Sequence, residues 1–418
     1  MRVCIVTVAS YAHGIGGMQT HGLDLGRGLV RAGHEVEVVT SRHPEGLAQT
    51  EHEGIRWHFV DAPSRWPGRP MRSRDWLRLS SDEFARLHAA DPFDVVHSES
   101  TSGLGLLRRG VHRRVPFAVK FHGNYLGLAQ AAVRRAAVAK GMHSRVEEAK
   151  LLGWISAQHF VPIDGVYRFR ACEAMVPAAQ QLGDTRRSYL LRRSRLHVVP
   201  NGVDAEVFRP RRAVEMRREL GLPDGPLLVA VGRLNREKGF DFALRALAQL
   251  EDRSVRLVVV GSGEERESLE GLAQELGVVQ RVVFAGRQPP DRVPAYLAAA
   301  DVFVFPTQRE EAAPLVLPQA MACGLPVVAT SIGGITEVVN RPGENGVLVS
   351  PHDVRGLVRA LSDLVADPDR RERMGAAARE RVLAEYTIER MTARTLAVYE
   401  IAVARHRAAD ASRFADKE

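Results

Sequence analysis

The chain has 418 residues, too many for one ordinary compact domain at roughly 150 residues each, so two domains are expected. Its 45% hydrophobic, 26% charged and 6% aromatic residues can fill globular cores, which excludes disordered and fibrous classes. A formal charge of +8 suits phosphates, nucleic acid or anionic lipid surfaces, although Lys stands at only five positions and a generically Arg-rich surface is the better account of the balance.

At the start of the chain, Met1-Arg2 and the short apolar run Val3 to Ala9 lack the length and cleavage site of a signal peptide. No stretch of about 18 apolar residues follows to span a bilayer. The three cysteines, Cys4, Cys172 and Cys323, have no metal-like spacing, and a reducing cytoplasm is the expected setting. Strand-length apolar runs then alternate with amphipathic segments of helix length, the pattern of parallel sheets covered by helices on both faces. In the first half the strands are expected at Val3 to Ala9, Glu35 to Thr40, Val95 to Ser98 and Phe117 to Phe121, with a helix from Met18 to Ala32 stopped at Gly33. The turn-rich break Val199-Pro200-Asn201-Gly202-Val203-Asp204 divides the halves. Beyond it, strands are expected at Leu227 to Val231, Arg256 to Val260, Val282 to Ala285, Val302 to Pro306 and Pro326 to Ala329. Helices are expected at Asp241 to Leu250, Glu264 to Leu276, Val293 to Ala299 and Leu357 to Ala366, and Asp367-Pro368-Asp369 reads as a helix stop and restart. The expected architecture is α/β, with two Rossmann-like domains, residues 1–203 and 204–385, followed by a final helix and polar tail, 386–418. Two such domains would hold a ligand in the cleft between them, beyond the carboxyl ends of their strands.

Three stretches carry chemistry. Gly14-Ile15-Gly16-Gly17 follows the first strand and precedes a helix, where amides can meet a phosphate. The dinucleotide fingerprint fails, because its third glycine is replaced by Gln19, and a ligand loop and a plain tight turn are equally open. Gly261-Ser262-Gly263 fails in the same way at Arg266. In Gly232-Arg233-Leu234-Asn235-Arg236-Glu237-Lys238-Gly239 the cations Arg233 and Lys238 stand at a strand end, which favours a diphosphate site over a solvated loop: Arg offers a planar fork and Lys a compact charge. Glu311 and Gln319 bracket an irregular turn whose polar ends and free amides suit sugar and ribose hydroxyls, with an exposed acidic loop as the other reading.

With Gly16-Gly17-Met18-Gln19, Phe121-His122-Gly123, the 199–204 break, Gly232-Arg233, Glu237-Lys238-Gly239, Gly261-Ser262-Gly263 and the run from Ala320 to Ala329 in this order and spacing, the chain resembles family 4 of retaining glycosyltransferases, which have the GT-B fold of two facing Rossmann-like domains. The likeness runs along nearly the whole chain. It implies an acceptor-binding N-terminal domain, a donor-binding C-terminal domain, and a last helix, about Ile388 to His406, that crosses back to the first domain. By the resemblance Arg233 and Lys238 bind the donor diphosphate, Glu311 and the amides of Ala312, Ala313, Leu315 and Val316 hold the donor sugar, and Gly16, Gly17, Gly232, Gly261 and Gly263 approach the donor. His122 would sit beside the sugar; a lone histidine at a strand end is otherwise more often structural.

Two departures stand out. The family pattern is Glu, seven residues, then Glu, whereas here Gln319 holds the second position, which in the family accepts hydrogen bonds from the ribose. Pro314 replaces a usual glycine and removes one backbone amide. The implied activity is transfer of a sugar, with retention, from a nucleoside-diphosphate sugar, most often a UDP-sugar in the family, to a saccharide, lipid or small natural-product acceptor, without cofactor or metal and without nucleic acid as a partner. A catalytically weak nucleotide-sugar binder of the same fold is the alternative that Gln319 and Pro314 raise, and monomer and homodimer are both open. Acceptor contacts are expected in 124–157, at Asn124, Arg134, Lys140 and Arg145, with Arg135 and Lys150 nearby; an acceptor pocket, a basic face on the inner side of an anionic membrane, and a solvated helix face compete for that stretch. Trp57, Trp66 and Trp76 either stack on a sugar or pack.

Overall fold

The computed structural model describes residues 1–14, 16–63, 74–123 and 168–415. Its contacts divide the chain into two compact units, one formed by Met1–Pro200 with Met391–Glu418 and the other by Asn201–Arg390. The fold is α/β, with one Rossmann-like parallel sheet in each unit.

The first unit contains strands β1 (Arg2–Val6), β2 (Glu35–Thr40), β3 (Gln49–His52), β4 (Ile55–Phe59), β5 (Val95–Glu99), β6 (Phe117–Lys120), β7 (Glu173–Val176) and β8 (Leu196–Val198). They lie side by side in the order β3-β4-β2-β1-β5-β6-β7-β8, and every neighbouring pair is parallel except β3 with β4. Strand residues alternate between faces. Cys4 and Val6 accordingly join one buried cluster with Trp76, Phe84 and Phe117, while Val3 and Ile5 join another with Leu25, Leu29 and Trp57. Both faces of β1 are therefore apolar, as a parallel strand covered on two sides requires. Met391, Val398 and Tyr399 of the last helix, Ile388–Ala415, belong to the second of these clusters.

The second unit holds β9 (Leu227–Val231), β10 (Arg256–Val260), β11 (Val282–Gly286), β12 (Val302–Phe305), β13 (Val327–Thr330) and β14 (Val347–Val349), in the order β11-β10-β9-β12-β13-β14 and all parallel. Leu227 and Val229 face one cluster and Leu228 and Ala230 the other. In each sheet the first strand is central, and the chain builds outwards first on one side and then on the other. The switch points are β1 beside β5 and β9 beside β12, where an open α/β sheet leaves a crevice beyond the carboxyl ends.

Several elements escape the sequence pattern. The β3–β4 pair is short, and β3, Gln-Thr-Glu-His, is a polar edge with no apolar alternation. The helix expected from Glu264 begins at Arg266. Trp57 is buried in β4, and Trp76 is buried with its Nε1 donating to Ser102 O at 3.0 Å, so both pack; Trp66 lies outside the described residues. Asp367 ends one helix and caps the next by accepting from Arg370 N at 2.8 Å, as the stop-and-restart reading requires. Among the described residues no helix is long and apolar enough to cross a membrane.

Two helical glycines give opposite expectations. A Cβ on Gly375 would stand 2.0 Å from Gly324 O, whereas a Cβ on Gly271 meets nothing within 4 Å. Gly375→Ala should lower unfolding stability by about 1–3 kcal/mol through overpacking, and Gly271→Ala should raise it by about 0.5–1 kcal/mol through helix propensity. Urea unfolding of both variants checks the pair.

Candidate active site

At the second switch point the loop after β9 is shaped by its backbone. Asn235 caps the turn Arg236–Lys238 by accepting from Lys238 N at 3.2 Å, and Gly239 follows at φ +69°. A Cβ at Gly239 would stand 2.0 Å from Pro306 O, so this glycine lets the loops after β9 and β12 close on each other. Gln308 N and Thr307 Oγ1 both donate to Glu237 O, at 2.8 and 3.1 Å, and Arg309 Nη1 meets Glu237 Oε2 at 2.9 Å. With the loops braced in this way, Lys238 Nζ donates to Glu311 Oε1 at 2.7 Å and lies 5.3 Å from the centre of the Phe305 ring. The structure thus brings together two residues that sequence reasoning selected separately.

Arg233 is placed otherwise. Its side chain is 73% exposed and reaches towards Glu264, at 3.7 Å. Gly261 and Gly263 are required by packing: Cβ atoms there would stand 1.8 Å from Gly232 O and 2.1 Å from Leu234 O. They shape the Gly232–Leu234 segment by letting β10's loop lie against it. Beyond Glu311, Gly333 and Gly334 approach its backbone, with Gly334 N donating to Glu311 O at 2.8 Å. Ala312, Ala313 and Leu315 donate to no backbone acceptor among the described residues outside helices and strands, Pro314 has no amide, and Val316 opens the helix Val316–Ala322 that carries the half-buried Gln319.

In the first unit Gly16 is the extended N-cap of the helix Gly17–Arg31. Near it lies a buried polar cluster that the motif reading missed. Glu99, the last residue of β5 and fully buried, accepts a hydrogen bond from Nε2 of His122 just past β6. Its other oxygen stands 3.4 Å from His21 Nε2 and 3.3 Å from His97 Nε2, contacts outside hydrogen-bond geometry. His97 Nδ1 is 2.7 Å from Tyr399 Oη, and the His21 and His122 rings meet edge to face at 4.6 Å. Lys120 is fully buried, with no hydrogen-bond partner for Nζ among the described residues.

Burial raises the Glu99 carboxyl, yet its contacts with His21 and His122 outweigh that and hold it well below the usual carboxylate range. Burial, with the Lys120 charge beside it, pushes His21 down to about 3. Lys120 itself is pushed down to about 7 by burial, against the pull of Glu99. The ligand atoms of His21, Glu99 and His122 lie within 4.8 Å of one another, a spacing that suits a metal ion. Lys120, when protonated, adds a positive charge that feels the same carboxylate and disfavours a second cation there. Asn124, Arg134, Arg135, Lys140, Arg145 and Lys150 lie outside the described residues.

Two family models match the chain, Glycosyltransferase Family 4 over residues 15–207 and Glycosyl transferases group 1 over residues 214–381. A D-inositol 3-phosphate glycosyltransferase of Xylanimonas cellulosilytica is 33% identical over 388 residues, 87% of each chain. A 2-deoxystreptamine glucosyltransferase of Streptomyces kanamyceticus is 28% identical over 93% of this chain and 100% of its own. Among solved structures, a sucrose-phosphate synthase from Thermosynechococcus elongatus superposes with a TM-score of 0.75 at 25% identity, covering 97% of this chain and 99% of that one.

The buried cluster sets a pH dependence. Unfolded, His21 takes a proton near its ordinary 6.5, whereas folded it does so only at about 3. Between these values the unfolded chain holds more protons, so stability should fall as pH drops through this window. Glu99, with its lowered value, pulls in the same direction at the acid end. In thermal melts across this range His21→Gln should flatten the decline; a decline as steep as that of the wild type would remove His21 as its source.

Proposed function

This chain belongs to glycosyltransferase family 4 and is a glycosyltransferase of the GT-B fold, and from that premise we propose that it transfers a sugar, with retention, from a nucleoside-diphosphate sugar to a hydroxyl of a small acceptor. The observation that carries this reading is the Lys238–Glu311 pair at the end of β9 and β12. An ammonium has three donors, and the one spent on Glu311 leaves others for phosphate oxygens. Glu311, fixed by the lysine and by Gly334 N donating to its carbonyl, keeps acceptor positions for sugar hydroxyls.

In the proposed reaction the bond between the anomeric carbon and the diphosphate oxygen breaks, and negative charge grows on the leaving phosphate. Lys238 stabilises that charge from a braced position, and Arg233, on an exposed side chain, swings onto the phosphates when the donor binds. The acceptor hydroxyl forms the new bond on the same face and gives its proton to the leaving phosphate oxygen. The amides of Ala312, Ala313, Leu315 and Val316 hold sugar oxygens, Gln319 the ribose, Gly16 and Gly17 the phosphates, and His122 a sugar hydroxyl. No metal or cofactor takes part in this scheme. The donor base is taken as uridine, the commonest in the family; the relatives named for D-inositol 3-phosphate and 2-deoxystreptamine support a small polyhydroxylated acceptor.

Gln319 and Pro314 favour one other reading, a binder of nucleotide sugars that turns over poorly, since a neutral amide makes weaker ribose bonds than a carboxylate. A thermal-shift screen over nucleotide sugars, at about a hundred times the dissociation constant, should reveal the donor through about 2.7 kcal/mol of added stability. Binding with neither transfer nor slow hydrolysis would favour the binder.

Lys238→Ala and Arg233→Ala should each lower turnover by about a hundredfold or more, measured as release of the nucleoside diphosphate. Wild-type rates in both would overturn the donor-site assignment. Gln319→Glu should lower the donor KM with little change in kcat; a change confined to kcat would count against the ribose role.

A further inference from the structure

We propose that Glu99 is a positioning residue that fixes the tautomer and orientation of His122 for its contact with the donor sugar. The inference rests on the reading of His122 as a sugar contact.

The geometry within the first unit supplies the argument. His122 stands just past the carboxyl end of β6, its side chain 17% exposed, and Glu99 at the end of β5 is 0% exposed. An ionised carboxylate can only accept, so its hydrogen bond requires the imidazole proton on Nε2. In the neutral ring Nδ1 then carries a lone pair, an acceptor suited to a sugar hydroxyl. The edge-to-face contact with His21 holds the plane of the ring, and His21 is a residue of the helix whose N-terminus follows the Gly16 loop. The contacts of Glu99 with His21 and His122 hold its carboxylate in the charged form. A buried carboxylate and a buried lysine without full hydrogen bonding are costly, and apolar residues of the same size would serve the fold as well or better. The lone path from this cluster to partly exposed atoms, among the described residues facing Glu99, is the His122 ring: His21 and His97 are buried.

The test uses the full chain labelled with 15N-histidine. Long-range proton–nitrogen NMR reads the tautomer, with His122→Ala assigning the signals, and steady-state assays read kcat and KM. His122 should carry its proton on Nε2 in the wild type. Glu99→Gln can donate as well as accept, so it should mix the two tautomers and lower kcat by about a hundredfold, as small misplacements do, with the donor KM little changed. The conjunction of a shifted tautomer and a lowered kcat supports the proposal. A proton on Nδ1 in the wild type overturns it, as does an unchanged tautomer or an unchanged kcat in Glu99→Gln. Should that variant fail to fold, the wild-type tautomer decides. A wild type that transfers no sugar would sink the functional reading, while the NMR result still decides whether Glu99 sets the ring.

Discussion

Both sheets are parallel apart from the β3 edge, and a parallel sheet is buried on both faces. That constraint governs where chemistry can sit. Side chains along the central strands are mostly apolar, as Val3 to Val6 and Leu227 to Val231 are, and the polar groups singled out above stand at or near the strand ends. All carboxyl ends of a parallel sheet emerge at one edge, and the parallel pairing of β9 with β12 brings two loops with opposite charges together there. The Lys238–Glu311 pair is a product of topology as much as of sequence.

Glu99 and Lys120 show the same constraint under more stress. Each is the last residue of a buried strand and is itself fully buried. Their mutual attraction and the three histidines around Glu99 offset part of the cost of burial, and among the described residues Glu99 Oε1 and Lys120 Nζ have no hydrogen-bond partner. A fold selected only for stability gains nothing from such a cluster. Its place beside the Gly16 loop and its contact with His122 tie it to the same edge of the sheet as the residues that the family resemblance selects.

What the sequence made legible follows from these physical differences. Apolar runs ended by glycine and charge announced the strands and their loops, so Lys238 and Glu311 could be picked out. Their hydrogen bond could not, since 73 residues separate them and only the pairing of β9 with β12 joins them. Gly261 and Gly263 were legible as glycines but not as packing sites, because a glycine against a ligand and a glycine against backbone look the same in one dimension. His21, Glu99 and Lys120 lie on three elements and form no local pattern. The available signal was a charged residue within or just after an apolar strand, in Val-Val-His-Ser-Glu and Phe-Ala-Val-Lys. β3 was invisible because an edge strand of four residues has neither periodicity nor apolar content.

The lysine–glutamate pair is not what holds the loops. Its side chains are 22% and 18% exposed, so the cost of removing both charges from water offsets much of their attraction. The loops are already held by Gln308, Thr307 and Arg309 on Glu237 and by the close approach at Gly239. Because bracing and pairing are carried by different residues, a ligand can draw on Lys238 without loosening the loops that position it. An arrangement in which Lys238 itself held the loops together would weaken whenever a phosphate engaged it. Separating the brace from the charge preorganises the ammonium, and preorganised charge is what a leaving diphosphate needs.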